Sequence, residues 1–223
     1  MHLQNPSQLP FGKGQWDPLP FSTYQFLKAI DLEIILFPHP TLRYKAKPIL
    51  RVNSELHQIV REMFRLMYEH RGVGLAANQV NLPFRLFVAN EAGNPDEGEE
   101  LVFINPVISR GKGIEESEEG CLSIPGVNRQ VKRNKSIQVN AYSIDGKEIN
   151  QTIDGFLARI IQHETDHLDG VLFIDRLGDG VLKSLDNELS NLELDFRSKQ
   201  RLGGIPSDEK LLESLAPWEE KYC

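Results

Sequence analysis

Cysteine is scarce in this sequence, with Cys121 and Cys223 the two among 223 residues. Two cysteines are too few for a disulfide framework and are typical of a protein from a reducing compartment. A continuous apolar run of about eighteen residues is also missing, which argues against a transmembrane helix. The N-terminus lacks the charged and apolar regions of a secretory signal. We therefore expect a soluble protein that is not secreted, with a cytoplasmic location and no membrane partner.

An excess of basic charge is missing as well. Lysine and arginine number 25 against 32 aspartates and glutamates, and the formal net charge is -7. Acidic runs at 96–100 and 115–119 would repel nucleic-acid phosphates, so no direct sequence-specific nucleic-acid partner is expected. A small basic cluster is interpreted as the solvated side of a strand and turn; it comprises Arg129, Lys132, Arg133 and Lys135.

The chain is long enough for one sizeable core with appendages. Prolines and glycines interrupt residues 1–30, which predicts an extended or disordered N-terminal extension. This segment has no arginine and contains Asp17, which argues against an organellar transit peptide. The globular domain is expected at 31–178, followed by a C-terminal helix at 179–203 and a loose, polar tail at 204–223.

Hydrophobic periodicity predicts the main elements. An amphipathic helix begins after Asn53 or Ser54 and ends at Gly72. A second helix is expected from about Asp154 to Gly170, and a long third from about Gly180 to Arg201. Short apolar or alternating runs predict antiparallel strands and hairpins at 84–90, 101–108, 136–142 and 147–153. The predicted fold is α+β, with strands packed around the second helix, an amphipathic helix before it and a long helix after it.

The stretch "QHETDHLDG" (162–170) lies in the second predicted helix. Residues four apart project from one helical face, so His163 and His167 can bind the same metal ion. Glu164 is rotated by about 100° from His163 and is suited to contact a water molecule there instead. Histidines buried for packing alone are the alternative, but a buried, unpaired glutamate would then be costly. The pattern favours a hydrolytic metal site.

A catalytic metal usually has three protein ligands and one open position. One class of zinc protease takes its third histidine six residues after the second, but here that position holds Phe173, which cannot coordinate a metal. Another class draws a glutamate from a downstream helix, and Glu188 lies near that spacing. The other candidate is Cys121, whose thiolate a divalent metal would hold deprotonated. A buried small hydrophobe is the alternative interpretation of Cys121.

Three ordered motifs give the sequence a specific resemblance: "GVGLAANQ" (72–79), "EGCLS" (119–123) and "QHETDHLDG" (162–170). Together they are similar to the motifs of peptide deformylases, which remove the formyl group from the N-terminal methionine of new polypeptides. "HPTLR" (39–43) and "GVLFIDRL" (170–177) are also similar to that family. The resemblance implies that 31–178 is a deformylase catalytic domain acting on formyl-Met nascent peptides, and it suggests a transient ribosome contact.

The resemblance implies a role for each motif residue. Cys121, His163 and His167 would ligate one divalent ion, with iron(II) preferred and zinc, nickel or cobalt as alternatives. Glu164 would be the general acid and base acting on metal-bound water. The Gln79 side chain and the Leu122 backbone N–H would stabilise the oxyanion.

Substrate contacts are implied for three further residues. The peptide would pair with the backbone around Val73 and Gly74 as an added edge strand, and Ile160 with Val73 would line the pocket for the methionine side chain. Around them, Glu119 and Asp166 are interpreted either as groups that orient the ligands or as surface charges. Arg159 is expected to point away from the pocket.

Two other functions stay open on the sequence. One is a metallopeptidase in which Glu188 is the third ligand beside His163 and His167. The other is a metal-stabilised binding module without enzyme activity, which would leave Glu164 and Gln79 without a purpose. Metal retention after loss of Cys121 would separate the first of these from a deformylase.

Overall fold

The computed structural model describes residues 30–223 of the chain. The expected extended or disordered segment at 1–30 therefore lies outside the described residues, apart from Ile30. Within the described part, none of the helices is both long enough and apolar enough to cross a membrane.

One antiparallel sheet of five strands, in the order β1-β2-β3-β4-β5, forms the centre of the fold. Each strand pairs with the next one along the chain, as is usual for consecutive elements. The α+β prediction is confirmed. The strands are β1 (Gly74–Ala76), β2 (Leu86–Ala89), β3 (Leu101–Cys121), β4 (Ile124–Tyr142) and β5 (Glu148–Asp154).

The β3–β4 hairpin is far longer than the sequence predicted. β3 has 21 residues and β4 has 19, so the acidic run 115–119 lies in a strand. From Ser109 to Glu118 the β3 side chains are all exposed, which removes the alternation by which a half-buried strand is recognised. The sequence analysis did not predict β1 for a different reason. Its three residues are all buried, so they show no alternation between apolar and polar side chains.

Helix α1 (Ser54–Glu69) forms where the periodicity predicts it. The side chain of Asn53 accepts a hydrogen bond from the backbone N–H of Leu56 at 2.9 Å, which caps the helix. One face is buried against β1 and β2 in the main core. That face comprises Leu56, Ile59, Val60, Met63, Phe64, Leu66 and Met67.

Helix α2 (Gly155–Leu168) follows β5 directly and packs against the sheet. Ala158, Ile161 and Leu168 are fully buried in a cluster with side chains of β2, β3 and β4. Its start is set by Gly155 at φ +66°, a left-handed conformation that costs glycine little. The helix that carries both histidines is thereby held against the sheet along its length.

The predicted long C-terminal helix is divided in two, so that prediction is wrong. Helix α3 (Asp179–Lys183) ends one turn before α4 (Asp186–Arg201) begins. At the break Leu185 is fully buried in a cluster with Ile124, Val131 and Phe173. The leucine spacing continues through the break, which is why periodicity alone predicts a single helix.

The last twenty residues are not a loose tail, so that prediction is also wrong. They form helices α5 (Asp208–Glu213) and α6 (Ala216–Tyr222). Tyr222 is 1% exposed and packs against Phe84 with ring centroids 5.3 Å apart. The Tyr222 hydroxyl donates to Glu55, and Lys47 pairs with Glu219 at 2.5 Å. The buried side chains of this segment, Leu211, Leu215 and Tyr222, are too few in a polar sequence to be recognised as a buried face.

We expect Tyr222→Ala to lower the free energy of unfolding by about 3 kcal/mol, because a buried aromatic ring is lost and a cavity is left. Urea unfolding followed by tryptophan fluorescence measures this. Leu202→Ala is the matched control, since Leu202 is 84% exposed and its loss should change stability by less than about 0.5 kcal/mol. Equal effects of the two changes would contradict the docking of α6.

Candidate metal centre

Two elements bring three candidate ligands together. His163 and His167 lie one turn apart on α2, and Cys121 is the last residue of β3. One ligand atom from each lies within 4.8 Å of the others, which makes this group able to hold a metal ion. The Sγ atom of Cys121 is 3.2 Å from Nε2 of His167.

The strand irregularity beside Cys121 explains how a strand residue reaches the helix. The register of the hairpin changes from Gly120 opposite Asn128 to Cys121 opposite Ile124. Residues 125–127 therefore bulge out of β4, and a bulge of this kind redirects the side chains next to it. Gly120 lets the side chain of Asn128 pack closely here, since a Cβ would lie 2.2 Å from Oδ1 of Asn128 and would displace that side chain.

The donor set fits a divalent metal. A thiolate with two imidazoles suits iron, zinc, nickel and cobalt. Burial lowers the pKa of His167 well below its usual value, so this ring is neutral, as a ligand must be. Burial also acts to lower the pKa of His163, but its hydrogen bonds with Cys121 and Glu119 outweigh that and raise the pKa to about 10. Binding of a metal ion by His163 would therefore release a proton from this ring.

Glu188, the third ligand of the metallopeptidase alternative, is not part of this group. Its side chain is 47% exposed and lies 3.7 Å from the Arg129 guanidinium. A half-exposed residue paired with a surface arginine is not placed to offer a ligand to this group.

Glu119 anchors the first histidine. Its Oε2 atom lies 3.1 Å from Nδ1 of His163, which leaves Nε2 of that ring free for a ligand bond. Burial acts to raise the pKa of Glu119, but its hydrogen bonds with His163 and Arg133 outweigh this and lower the pKa far below the usual range. Glu119 is 7% exposed and Asp166 is 8% exposed, so their interpretation as surface charges is wrong.

Two arginines lie in surroundings that differ from those predicted from the sequence. Arg133, expected on a solvated face, is 4% exposed and pairs with both Glu119 and Asp166. Arg159, expected to point away from the pocket, is 7% exposed, pairs with Glu119 at 2.6 Å and lines the cleft. Buried carboxylates need cationic partners, and nothing local in the sequence indicates which arginines supply them.

Glu164 differs from the paired acids. It is 4% exposed, and its Oε2 atom is buried without a hydrogen-bond partner. Burial raises the pKa of Glu164 to about 7, against the opposing charges of His163 and Arg133. Gly74 packs directly on it, since a Cβ there would lie 2.4 Å from Oε1 of Glu164. A carboxyl group in this state can both accept and return a proton near neutral pH.

The amide of Gln79 is oriented by its own turn. The backbone N–H of Ala76 donates to Oε1 of Gln79 at 2.8 Å. Nε2 therefore faces the centre, where it lies 3.5 Å from Sγ of Cys121 and 3.3 Å from Oγ of Ser123. Ser123 was not singled out in the sequence, although it lies inside the same motif as Cys121.

A cleft of about 500 Å³ opens beside these groups. The predicted substrate-binding residues Val73, Gly74 and Ile160 line it, and so does Leu122. β1 is an edge strand of the sheet, because β2 is its single neighbour among the described strands. The cleft therefore has a strand edge on one side and the buried Glu164 carboxyl in its wall.

Comparison with known proteins gives one family. A family model described as polypeptide deformylase matches residues 31–182. The peptide deformylase of Rhodopirellula baltica is 51% identical over 86% of this chain and 96% of its own length. The chloroplastic/mitochondrial peptide deformylase 1B of Arabidopsis thaliana is 42% identical over 81% of this chain and 65% of its own length.

Solved structures agree. A crystal structure of Arabidopsis thaliana peptide deformylase 1B with an inhibitor has a TM-score of 0.73 at 42% identity, covering 79% of this chain and 96% of that one. One from Legionella pneumophila has a TM-score of 0.68 at 36% identity, covering 74% and 96%. Sequence, fold and cleft together confirm the resemblance: the chain belongs to the polypeptide deformylase family, metal-dependent hydrolases that remove the formyl group from the N-terminal methionine of newly made polypeptides.

Proposed function

We propose that deformylation takes place in the cleft beside Cys121, His163 and His167, with Glu164 as the general acid and base. The single observation that carries this proposal is the state of Glu164. Its carboxyl is buried, has an unpaired oxygen and lies next to the three candidate ligands. Burying an unpaired acid costs free energy of folding, and such groups cluster at functional sites, where the chemistry needs them.

Cys121, His163 and His167 are the residues that would hold the ion. When bound, a divalent ion supplies Lewis acidity that activates water and polarises the formyl carbonyl. Glu119 holds His163 through Nδ1, and Asp166, next to His167 in sequence, is held by Arg133 and Arg176. The contact of Glu119 with His163 supports the proposal that this acid orients a ligand from outside the centre, and we propose the same role for Asp166.

Glu164 moves the proton. Its carboxylate takes a proton from the water whose oxygen attacks the formyl carbon, and the C–N bond then breaks. Glu164 returns the proton to the departing amine, so that formate and a free N-terminal methionine are the products. A pKa near 7 suits both transfers because neither protonation state is strongly favoured at neutral pH.

The negative oxygen that develops on the formyl group needs donors placed in advance. Nε2 of Gln79 faces the centre because Oε1 already accepts from Ala76, which supports its proposed role. The backbone N–H of Leu122, in the turn directly after Cys121, is the second proposed donor.

Substrate peptide is proposed to bind along the edge of β1. Backbone pairing at Val73 and Gly74 would hold a peptide without reading its sequence, as an enzyme acting on many nascent chains requires. Ile160, 3% exposed and lining the cleft, is proposed with Val73 as the wall of the methionine pocket.

The identity of the metal and the cellular setting are part of the proposal. We propose iron(II) as the ion, since the donor set suits it, with zinc, nickel and cobalt as substitutes. A transient ribosome contact and a cytoplasmic location are proposed because the substrate is a nascent chain. The names of two plant relatives place those proteins in the chloroplast, or in chloroplast and mitochondrion.

Protein prepared without oxygen and loaded with iron(II) should release formate from a formyl-Met peptide. Oxygen is excluded because a thiolate ligand and a ferrous ion are both open to oxidation. Formate release and metal content are measured on the same sample. Absence of formate release with iron, nickel or cobalt bound would overturn the proposal.

Cys121→Ala should reduce bound metal from one equivalent to close to none, because two imidazoles alone form an incomplete site. Metal content after gel filtration measures this. Cys223→Ala is the matched control, since that thiol lies at the C-terminus and donates to the carbonyl of Lys47. A full equivalent of metal retained by Cys121→Ala would exclude this cysteine as a ligand.

Glu164→Gln should keep the metal but lower kcat by a factor of about 10² to 10⁴, because the amide cannot transfer the proton. Metal content and steady-state kinetics are measured together. Glu188→Gln is the control and should change neither, since Glu188 lies at the surface beside Arg129. Loss of metal from Glu188→Gln would favour the metallopeptidase instead, and unchanged activity of Glu164→Gln would favour a binding module.

A further inference from the structure

Arg159 has an unusual position for a residue in the wall of the substrate cleft. It lies on α2 one turn before His163, and it is 7% exposed. Its Nη1 atom donates to Oε1 of Glu119 at 2.6 Å and to the backbone carbonyl of Val131 at 2.9 Å. Its Nη2 atom donates to the backbone carbonyl of Glu115 at 2.9 Å. All of these partners belong to the β3–β4 hairpin.

The Glu119 carboxylate joins Arg159 to the metal centre. Glu119 contacts His163 through Oε2, while Arg133 donates to both of its oxygens at 2.9 Å. Arg159 approaches Oε1, the oxygen that does not contact His163. Two guanidinium groups therefore fix the plane of the carboxylate that sets the orientation of the His163 ring.

Arg159 also connects the two elements that supply the ligands. Cys121 lies at the end of β3, two residues after Glu119, and His163 lies on α2. β3 between Ser109 and Glu118 has only exposed side chains, so apolar packing of that segment on α2 contributes little to the alignment. The two backbone carbonyls bound by Arg159 belong to β3 and β4 and hold the hairpin to the helix.

We propose that Arg159 is a positioning residue of the metal centre. It acts through Glu119 and the hairpin backbone, sets the orientation of His163 relative to Cys121 and makes no polar contact with the substrate. Three of the five N–H groups of its guanidinium donate to the protein, and we infer that its aliphatic stem lines the cleft. This inference rests on the proposed function, because it requires Cys121 and His163 to be ligands of one ion.

The test compares Arg159→Met, which keeps the stem and removes the guanidinium, with Arg159→Lys, which keeps one charge. Cobalt(II) is the probe, since its absorption spectrum reports the geometry of thiolate and imidazole coordination. Cobalt affinity by competition with a chelator, the cobalt spectrum, kcat and KM are measured on each variant. Arg129→Met is the matched control, because Arg129 pairs at the surface with Glu188.

We expect Arg159→Met to bind cobalt roughly tenfold more weakly, with an altered spectrum, a lower kcat and a KM within about twofold of the parent protein. Arg159→Lys should recover part of the affinity, and Arg129→Met should change nothing. Should Arg159→Met fail to fold, the partial loss in Arg159→Lys carries the test. In a Glu119→Gln background, Arg159→Met should have little additional effect on affinity, because both changes act through one carboxylate.

Unchanged cobalt affinity and spectrum in Arg159→Met would overturn the proposal and leave Arg159 a purely structural residue. A raised KM with unchanged kcat would overturn it in favour of a substrate contact. Failure of the proposed function is distinguishable from both outcomes. In that case Cys121→Ala would still bind a full equivalent of cobalt, or the parent protein would release no formate.

Discussion

The centre depends on a fixed spacing between helix α2 and the end of strand β3, because each supplies part of one ligand set. Burial of Ala158, Ile161 and Leu168 against the sheet holds the helix, with each fully buried side chain contributing about 1 to 3 kcal/mol. Apolar packing fixes the helix to the sheet but does not orient an imidazole ring. The Glu119 carboxylate does this, by joining the hairpin to His163 at 3.1 Å. Packing therefore sets the position of the helix, and a charged hydrogen bond sets the orientation of the ligand.

The buried acids of this region fall into two kinds with different physical roles. Glu119 and Asp166 are surrounded by arginines, and their ion pairs compensate for the loss of water. Glu164 has no such partner on Oε2, and its burial raises its pKa to about 7. The partners of Glu119 lower its pKa and keep this acid ionised, which suits an orienting role, whereas Glu164 is able to change its protonation state.

Much of the fold could be predicted where a single element carries its own signal. Helix α1 and helix α2 have apolar residues at helical spacing and clear starts, so the bounds of both were predicted within about three residues. The outer part of the β3–β4 hairpin has only exposed side chains on β3 and gave no signal. The break at Leu185 and the docking of Tyr222 were missed because each depends on a distant partner. Arg159 was placed wrongly for the same reason, since its carboxylate partner is 40 residues away.

The sequence by itself determined the family and placed the two candidate metal ligands of helix α2 on one face. His163 and His167 are four apart, and a helix of known pitch places them on one face without any help from the rest of the chain. Three ordered motifs were specific enough to indicate a deformylase. The resemblance implied that Cys121, 46 residues from His167, reaches the same point, and the structure places its Sγ atom 3.2 Å from Nε2 of that ring. Tertiary structure alone decided that Arg133 and Arg159 share Glu119 and that Oε2 of Glu164 lacks a hydrogen-bond partner. Spacing along the chain determines geometry only within one regular element. Contacts between elements depend on how those elements pack.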